Sequence, residues 1–349
     1  PSLSSSLFTV DFGFISSSAS STKLSIMHVR VQANTVITGN DQIFSPGYII
    51  IDRDTGRITD IGEGVLKESE DDDIVNVDVV LPGFVDIHNH GFGGSEDVLD
   101  YWTNPEYTLS RLPKMGVTAC LATVTLPASE SLLRRSLEAC RVISKTIETC
   151  PTKFGAGIYG IHAEGPIIAT YGGLPNSDAI SKWTITNFRK LLDNIGKYLR
   201  IMTISPSLET GSYVHKKSQD EEKEEKHFCL TCSPILECTS SSTSSLNVCI
   251  CAESFKPFER LNVLLKRGIV PGLGHDKKAS LKDILACLEC QKYLPEDEFV
   301  SRKDDLSVRQ PLRGPFHITH CFNVMSFHHR DVGLANLAMI REVRLVCEK

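Results

Sequence analysis

Between Leu24 and Val80 apolar and polar residues alternate in short runs: IMHVRVQANTVIT, GYIIIDRDTGRITDIG and IVNVDVV. A period of two predicts β-strands with one buried face. Asp-Thr-Gly at 54–56 predicts a hairpin turn between two of them. From Leu81 the pattern changes. Apolar, strand-like stretches (VDIHNH, VTACLATV, GIYGIHAE, LRIMTISP, IVPGLGH and FHITHCF) alternate with stretches of helical spacing. The first helical stretch carries Leu133, Leu137, Cys140, Ile143 and Ile147 on one face; the next spans Ile185 to Ile195. FERLNVLLKRG predicts a helix stopped by Gly268, and SLKDILACLECQ predicts another.

Strand–helix alternation predicts a parallel sheet covered by helices. The expected fold is α/β, a (β/α)8 TIM-like barrel truncated after about six strands, because eight are needed for closure. Open parallel edges would leave such a chain poorly stable. The expected organisation is a Ser-rich, disordered leader at 1–23, a small β domain at 24–80 and the barrel at 81–349. Disordered inserts are expected at 212–252, which holds QDEEKEEK and TSSSTSS, and at 291–314. The acidic run Glu68 to Asp73 reads as a solvated loop.

Composition narrows the function. The chain has 349 residues, enough for a large core, and a net charge of -6 with no sizeable basic block, so nucleic acid is not an expected partner. No apolar run approaches the ~20 residues of a membrane helix. Asp11 interrupts the apolar start and no basic residue precedes Lys23, which argues against a secretory signal. Twelve cysteines are scattered. Cys120, Cys140, Cys287 and Cys321 fall in predicted elements, where reduced Cys packs as a small apolar residue. Cys229/Cys232 and Cys249/Cys251 have knuckle-like spacing, but no histidine or second CxxC has ribbon spacing, so they read as loop residues. A reduced, cytoplasmic setting is expected.

The chemistry lies at strand ends. His88 and His90 close the first barrel strand, Glu164 the third, His275 the fifth and His320 the sixth. Side chains two apart on a strand point the same way, so His88 and His90 can share one ion. HxH alone serves equally well as two satisfied polar histidines. The downstream series Glu164, His275, His320 favours a divalent metal, and three protein ligands with an open position describe a catalytic site. His162 and Glu164 also form H-x-E, as in zinc nucleobase deaminases, but Cys229-Leu-Thr-Cys232 is preceded by Phe228 rather than Pro. In HHRD, Arg330 suits a bidentate anion such as phosphate, or a surface salt bridge.

Taken together, LPGFVDIHNHGFGG, GIHAEGP, GLGH and ITHCFNVMSFHHRDVGL resemble the N-acetylglucosamine-6-phosphate deacetylases of the amidohydrolase superfamily. The resemblance implies a metal-dependent barrel with a small β-sandwich at the N-terminus, and removal of acetate from N-acetyl-D-glucosamine 6-phosphate to leave glucosamine 6-phosphate. It implies that Glu164, His275 and His320 hold one ion, most often Zn2+, with a second at His88 and His90 in some members. It makes Asn323 and the backbone of Val324 sugar contacts and Arg330 the phosphate contact. Pro175 and Asn176 stand where the family places a substrate histidine, and Asn donates a hydrogen bond without carrying charge. The family's acid/base aspartate is expected beyond Lys349, so no catalytic residue is assigned and the chain as given is expected to be inactive. A homodimer is implied for the complete protein. Two alternatives remain: a truncated barrel that binds metal or sugar phosphate without turnover, and a different hydrolase of the superfamily.

Overall fold

The computed structural model describes residues 28–67, 74–127, 129–172, 183–212, 257–290, 316–321, 323–325 and 333–338. The leader, the acidic run, both cysteine pairs, Pro175, Asn176, Arg330 and nearly all of the two inserts lie outside them. The chain divides into two compact units. The first takes the described residues up to Val85 with Leu109–Ala119 and Gly155–Gly157; the second takes Asp86–Thr108, Cys120–Phe154 and the described residues from Ile158 onward.

The first unit is built on one five-stranded sheet. Its strands are β1 (His28–Ile37), β2 (Ile43–Phe44), β3 (Gly47–Asp52), β4 (Ile58–Glu63) and β5 (Ile74–Val80), in the order β2-β1-β3-β4 with β5 parallel to β1. Alternation along β1 buries Val29, Val31 and Ala33, and after a one-residue break in the period Val36; these pack with Ile49 into a core. The expected β3–β4 hairpin forms. Asp52 accepts hydrogen bonds from the backbone N–H and the hydroxyl of Thr55, both at 2.7 Å, and Gly56 adopts φ +65° to close the turn. A second layer, which a sandwich would require, is not among the described residues.

The second unit is organised on a six-stranded sheet in the order β11-β10-β9-β8-β7-β6. The strands are β6 (Phe84–Asn89), β7 (Val117–Thr125), β8 (Gly157–Glu164), β9 (Leu199–Ile204), β10 (Val270–Leu273) and β11 (His317–Ile318). Each corresponds to one of the apolar stretches read from the sequence, and β8 to β11 pair in parallel. The described helices are α1 (Pro105–Leu109), α2 (Glu130–Thr149), α3 (Ile185–Ile195), α4 (Pro206–Thr210), α5 (Glu259–Lys266), α6 (Leu281–Glu289) and α7 (Leu334–Ala338).

On α2 the predicted face is the buried one at Leu137, Cys140 and Ile143. The helix α3 has the expected bounds; the Thr184 hydroxyl caps it by accepting from the Asn187 N–H. Ser280 and Asp283 form a reciprocal capping box that starts α6. The cysteine expectation holds for Cys120, Cys140 and Cys287, which are buried thiols, but Cys321 is exposed. It is exposed because β11 ends at Ile318, and the chain has turned out of the strand by His320.

Between β6 and β7 lie α1 and two 3-10 turns, Val98–Thr103 and Leu112–Met115, where the sequence pattern indicated no element. These elements are five, six and four residues long, too short for a helical period to show. Among the described residues no helix is long and apolar enough to cross a membrane.

Candidate metal centre

Glu164 is the last residue of β8 and is 1% exposed. Its Oε1 lies 2.9 Å from His275 Nε2 and 3.0 Å from His320 Nε2, and those two nitrogens are 2.8 Å apart. On its other side, Oε2 lies 3.1 Å from His90 Nε2, and Oε1 lies 3.7 Å from His88 Nε2. One buried carboxylate therefore stands between two histidine pairs. Two groups of three ligand atoms, His88/His90/Glu164 and Glu164/His275/His320, each fall within 4.8 Å of one another. All five residues predicted as ligands converge.

The backbone explains why these histidines project as they do. Neither His275 nor His320 continues its strand: they adopt φ +52° and +32°, a region that non-glycine residues occupy only when their surroundings hold them there. His275 is held from both sides of its peptide. Its carbonyl accepts from the Thr170 N–H at 2.8 Å and from the Ser205 hydroxyl at 3.0 Å, which also accepts from the Ala169 N–H. Glycine stands at 272 in β10 and at 274 just after it because Thr319 packs against both positions. A Cβ on Gly272 would meet Thr319 Oγ1 at 2.7 Å, and one on Gly274 would meet Thr319 Cβ at 2.9 Å. The HxH turn is braced as well: Asp86 accepts from the His88 N–H and the Asn89 side-chain amide, and the Asn89 carbonyl accepts from the Trp102 indole.

Proton bookkeeping decides what the centre can hold. His275 Nδ1 lies 2.8 Å from the Thr170 carbonyl, and His320 Nδ1 lies 3.2 Å from the Asn323 carbonyl. A carbonyl only accepts, so each Nδ1 carries the hydrogen and each neutral ring presents an Nε2 lone pair. Two imidazole lone pairs and a carboxylate oxygen then converge within about one hydrogen-bond length of each other, as the distances above show. Such a set repels itself unless a proton or a cation sits among the three. Imidazole nitrogen and carboxylate oxygen are the donors a borderline divalent ion takes, and rings oriented through Nδ1–H to carbonyls match metal-ligating histidines generally.

Electrostatics point the same way. Burial alone would raise the Glu164 carboxyl, yet a proton shared with the nitrogens of His275, His320 and His90, in the place a cation would take, holds it far below the usual carboxylate range. Burial would lower His320, but its contact with Glu164 raises it instead. Burial drives His88 down to about 4, so that ring stays neutral and available as a ligand.

Of the predicted substrate residues, Asn323 is exposed and Val324 is half-buried at φ +51°, three and four residues after His320. The backbone of Asn323 belongs to the centre itself, since its N–H donates to the His320 carbonyl and its own carbonyl orients His320 Nδ1. Sequence reasoning missed Thr170 and Ser205 as supports and His317 as a neighbour, its ring centroid 5.7 Å from that of His162. It read His162 only as half of an H-x-E motif. The alternation of β8 was the available signal, because His162 lies on the same side of the strand as Glu164.

No protein-family model matches the chain. The N-acetylglucosamine-6-phosphate deacetylase of Bacillus subtilis (strain 168) is 23% identical over 313 residues, which is 88% of this chain and 59% of that protein. The N-acetylglucosamine-6-phosphate deacetylase of Homo sapiens is 26% identical over 272 residues, 74% of this chain and 46% of that protein. The crystal structure of the Thermotoga maritima N-acetylglucosamine-6-phosphate deacetylase matches with a TM-score of 0.50 at 21% identity, over 88% of this chain and 59% of that one. The chain's relatives are thus these deacetylases, at modest identity but over most of its own length, and its fold is similar to that of the Thermotoga maritima protein. It spans between 46% and 59% of the curated relatives it matches.

Proposed function

We propose that this chain carries the metal centre of an N-acetylglucosamine-6-phosphate deacetylase, which hydrolyses the acetamide of N-acetyl-D-glucosamine 6-phosphate to glucosamine 6-phosphate and acetate. Its six parallel strands would form part of a (β/α)8 barrel, whose active sites lie at the C-terminal strand ends. The observation that carries the reading is the convergence of His275, His320, His88 and His90 on buried Glu164. The relatives' names and the motif resemblance give the substrate.

Glu164, His275 and His320 would hold one divalent ion, Zn2+ by the softness of the ligands, and His88 and His90 would hold a second with Glu164 as the shared ligand. When bound, such an ion supplies Lewis acidity, polarising the acetamide carbonyl and acidifying water. The chain's own residues would do the rest. Asn323 and the backbone of Val324 would hold the sugar ring, with Pro175 and Asn176 as a further contact. Arg330 would grip the phosphate through its guanidinium fork, fixing the acetamide over the centre.

The proton acceptor would come from outside the described carboxylates near the centre, since those are committed to structure. Asp276 accepts from the Ser207, Lys278 and Ala279 N–H groups, and Asp86 accepts as described above. The same reading places the protein in the cytoplasm as a homodimer.

The test is acetate release from N-acetylglucosamine 6-phosphate by a purified protein that spans the full length of the deacetylases this chain resembles, before and after chelation and zinc restoration. The reading expects chelator-sensitive, zinc-restored release. It also expects that Arg330→Ala impairs the phosphorylated sugar far more than the unphosphorylated one. Zinc and sugar phosphate bound without acetate release would favour the alternative of a binding protein without turnover.

A further inference from the structure

Behind the metal centre runs a second polar structure whose side chains are fully buried. His162 on β8 is 0% exposed. Its Nδ1 lies 2.8 Å from the carbonyl of Ile87 on β6, and its Nε2 lies 3.0 Å from the hydroxyl of Thr203 on β9. The Thr203 hydroxyl lies 2.9 Å from that of Thr319, the residue after β11. Both threonines are 0% exposed. The direction of every bond follows from the one group that cannot donate. The Ile87 carbonyl only accepts, so His162 Nδ1 carries the proton and Nε2 accepts from Thr203. Thr203 has then used its hydrogen and accepts from Thr319. The chain runs one way, Thr319 to Thr203 to His162 to Ile87, with each donor and acceptor along it satisfied.

Its endpoints are what make it more than core packing. Ile87 precedes His88, Thr319 precedes His320, and His162 stands two residues before Glu164 on the same side of β8. In the sheet order β7 lies between β8 and β6, so this side chain links two strands that do not pair with each other. Thr203 adds a fourth segment, since its residue pairs with both Glu164 and Gly272 in the sheet.

We infer that His162 is a positioning residue: with Thr203 and Thr319 it forms a directional strut that sets the spacing between the ligand-bearing ends of β6, β8 and β11. Ligand convergence needs placement to within about half an ångström. Strand pairing alone does not tie β6 to β8 or β9 to the residue after β11; the strut does. Consecutive buried hydrogen bonds of one sense also strengthen each other.

The inference rests on the metal-centre reading, and its test separates the two. Zn2+ is titrated calorimetrically into the metal-free wild type and into Thr203→Val, Thr203→Ser and His162→Gln, each also melted without metal. Thr203→Val keeps the volume but removes the hydrogen given to His162. We expect it to weaken zinc binding by about 10–100-fold, the usual effect of losing a group that orients a metal ligand. Thr203→Ser, which retains the hydroxyl, should bind as the wild type does. His162→Gln, with a donor and an acceptor at the end of its side chain, should fall between. Wild-type zinc affinity in a cooperatively melting Thr203→Val variant overturns the strut while leaving the metal centre intact, as does a Thr203→Ser variant as weak as Thr203→Val. Failure of the wild type itself to bind zinc overturns both.

Discussion

Glu164 and Glu209 are equally buried, at 1% exposure, and are built for opposite purposes. The Glu209 carboxylate meets Arg260 Nε at 2.6 Å and the Leu261 N–H at 3.2 Å, and the Arg260 fork also donates to the Leu208 carbonyl. A permanent cation from the same chain answers its charge, and the pair joins the end of α4 to the start of α5. Glu164 has no arginine or lysine among its described partners. Histidines stand around it, and the two whose Nδ1–H is committed to a carbonyl turn lone pairs toward it. One site is closed by its own chain, and the other is completed only by a cation or protons from outside. A buried charge that its own fold leaves uncompensated is a functional signal; a buried charge that is compensated is architecture.

The largest expected effects come from exchanging each glutamate for its neutral isostere. Glu164→Gln should abolish zinc binding while changing the metal-free melt little. Glu209→Gln should do the reverse, lowering stability by about 3–5 kcal/mol because it removes the carboxylate that answers a buried guanidinium charge, with zinc binding retained. Denaturant unfolding and zinc titration on the same two samples check this. If the two substitutions had the same profile, the contrast between the sites would be wrong.

The next effect sharpens the comparison within the centre. His275 and His320 have their Nδ1 atoms tied to carbonyls, whereas His88 Nδ1 is buried without a partner among the described residues. Rings held in the right tautomer bind more tightly. His275→Ala should therefore remove the stronger zinc equivalent, and His88→Ala only a weaker one. Metal content after dialysis against decreasing free zinc would show the order.

Smaller again is Ser205→Ala. It removes the hydroxyl that accepts from the Ala169 N–H and donates to the His275 carbonyl. The Ala169 amide is only half-buried, so a loss of about 0.5–1.5 kcal/mol in metal-free stability, the usual net value of one hydrogen bond, is expected, together with a modest loss of zinc affinity.

The gentlest probe is pH. His162 and His88 are pushed by burial down to about 3 and about 4 from an ordinary value of 6.5. The unfolded chain takes up these protons below pH 6.5 and the folded chain refuses them. Metal-free stability should therefore fall as pH drops from 6.5 toward 4, by up to about 1.4 kcal/mol per pH unit for each proton. Thermal melts of metal-free protein at pH 7 and pH 5 test the sign.

The sequence revealed most where periodicity and ligand chemistry coincide. The helix α3 could be bounded at Ile185 and Ile195 from its helical spacing, and the Thr184 cap and Gly196 stand at those bounds in the structure. The five metal-ligand residues could be found because each follows an apolar strand. The lengths of β10 and β11 could not be read. GIVPGLGH and FHITHCF look like full strands, but the pairing ends at Leu273 and Ile318, and the two histidines turn into left-handed backbone. The demands of the site override local propensity there. His162 was equally hidden, since the partners that define it, Ile87 and Thr203, are 75 and 41 residues away. A motif of three residues records none of that.

The most direct test of the central claim is equilibrium zinc titration of the metal-free protein beside Glu164→Gln, read by calorimetry. The account predicts that the wild type binds zinc in two steps of unequal affinity and that Glu164→Gln, folded by its melt, binds none in either. Zinc bound by Glu164→Gln as tightly as by the wild type would contradict it.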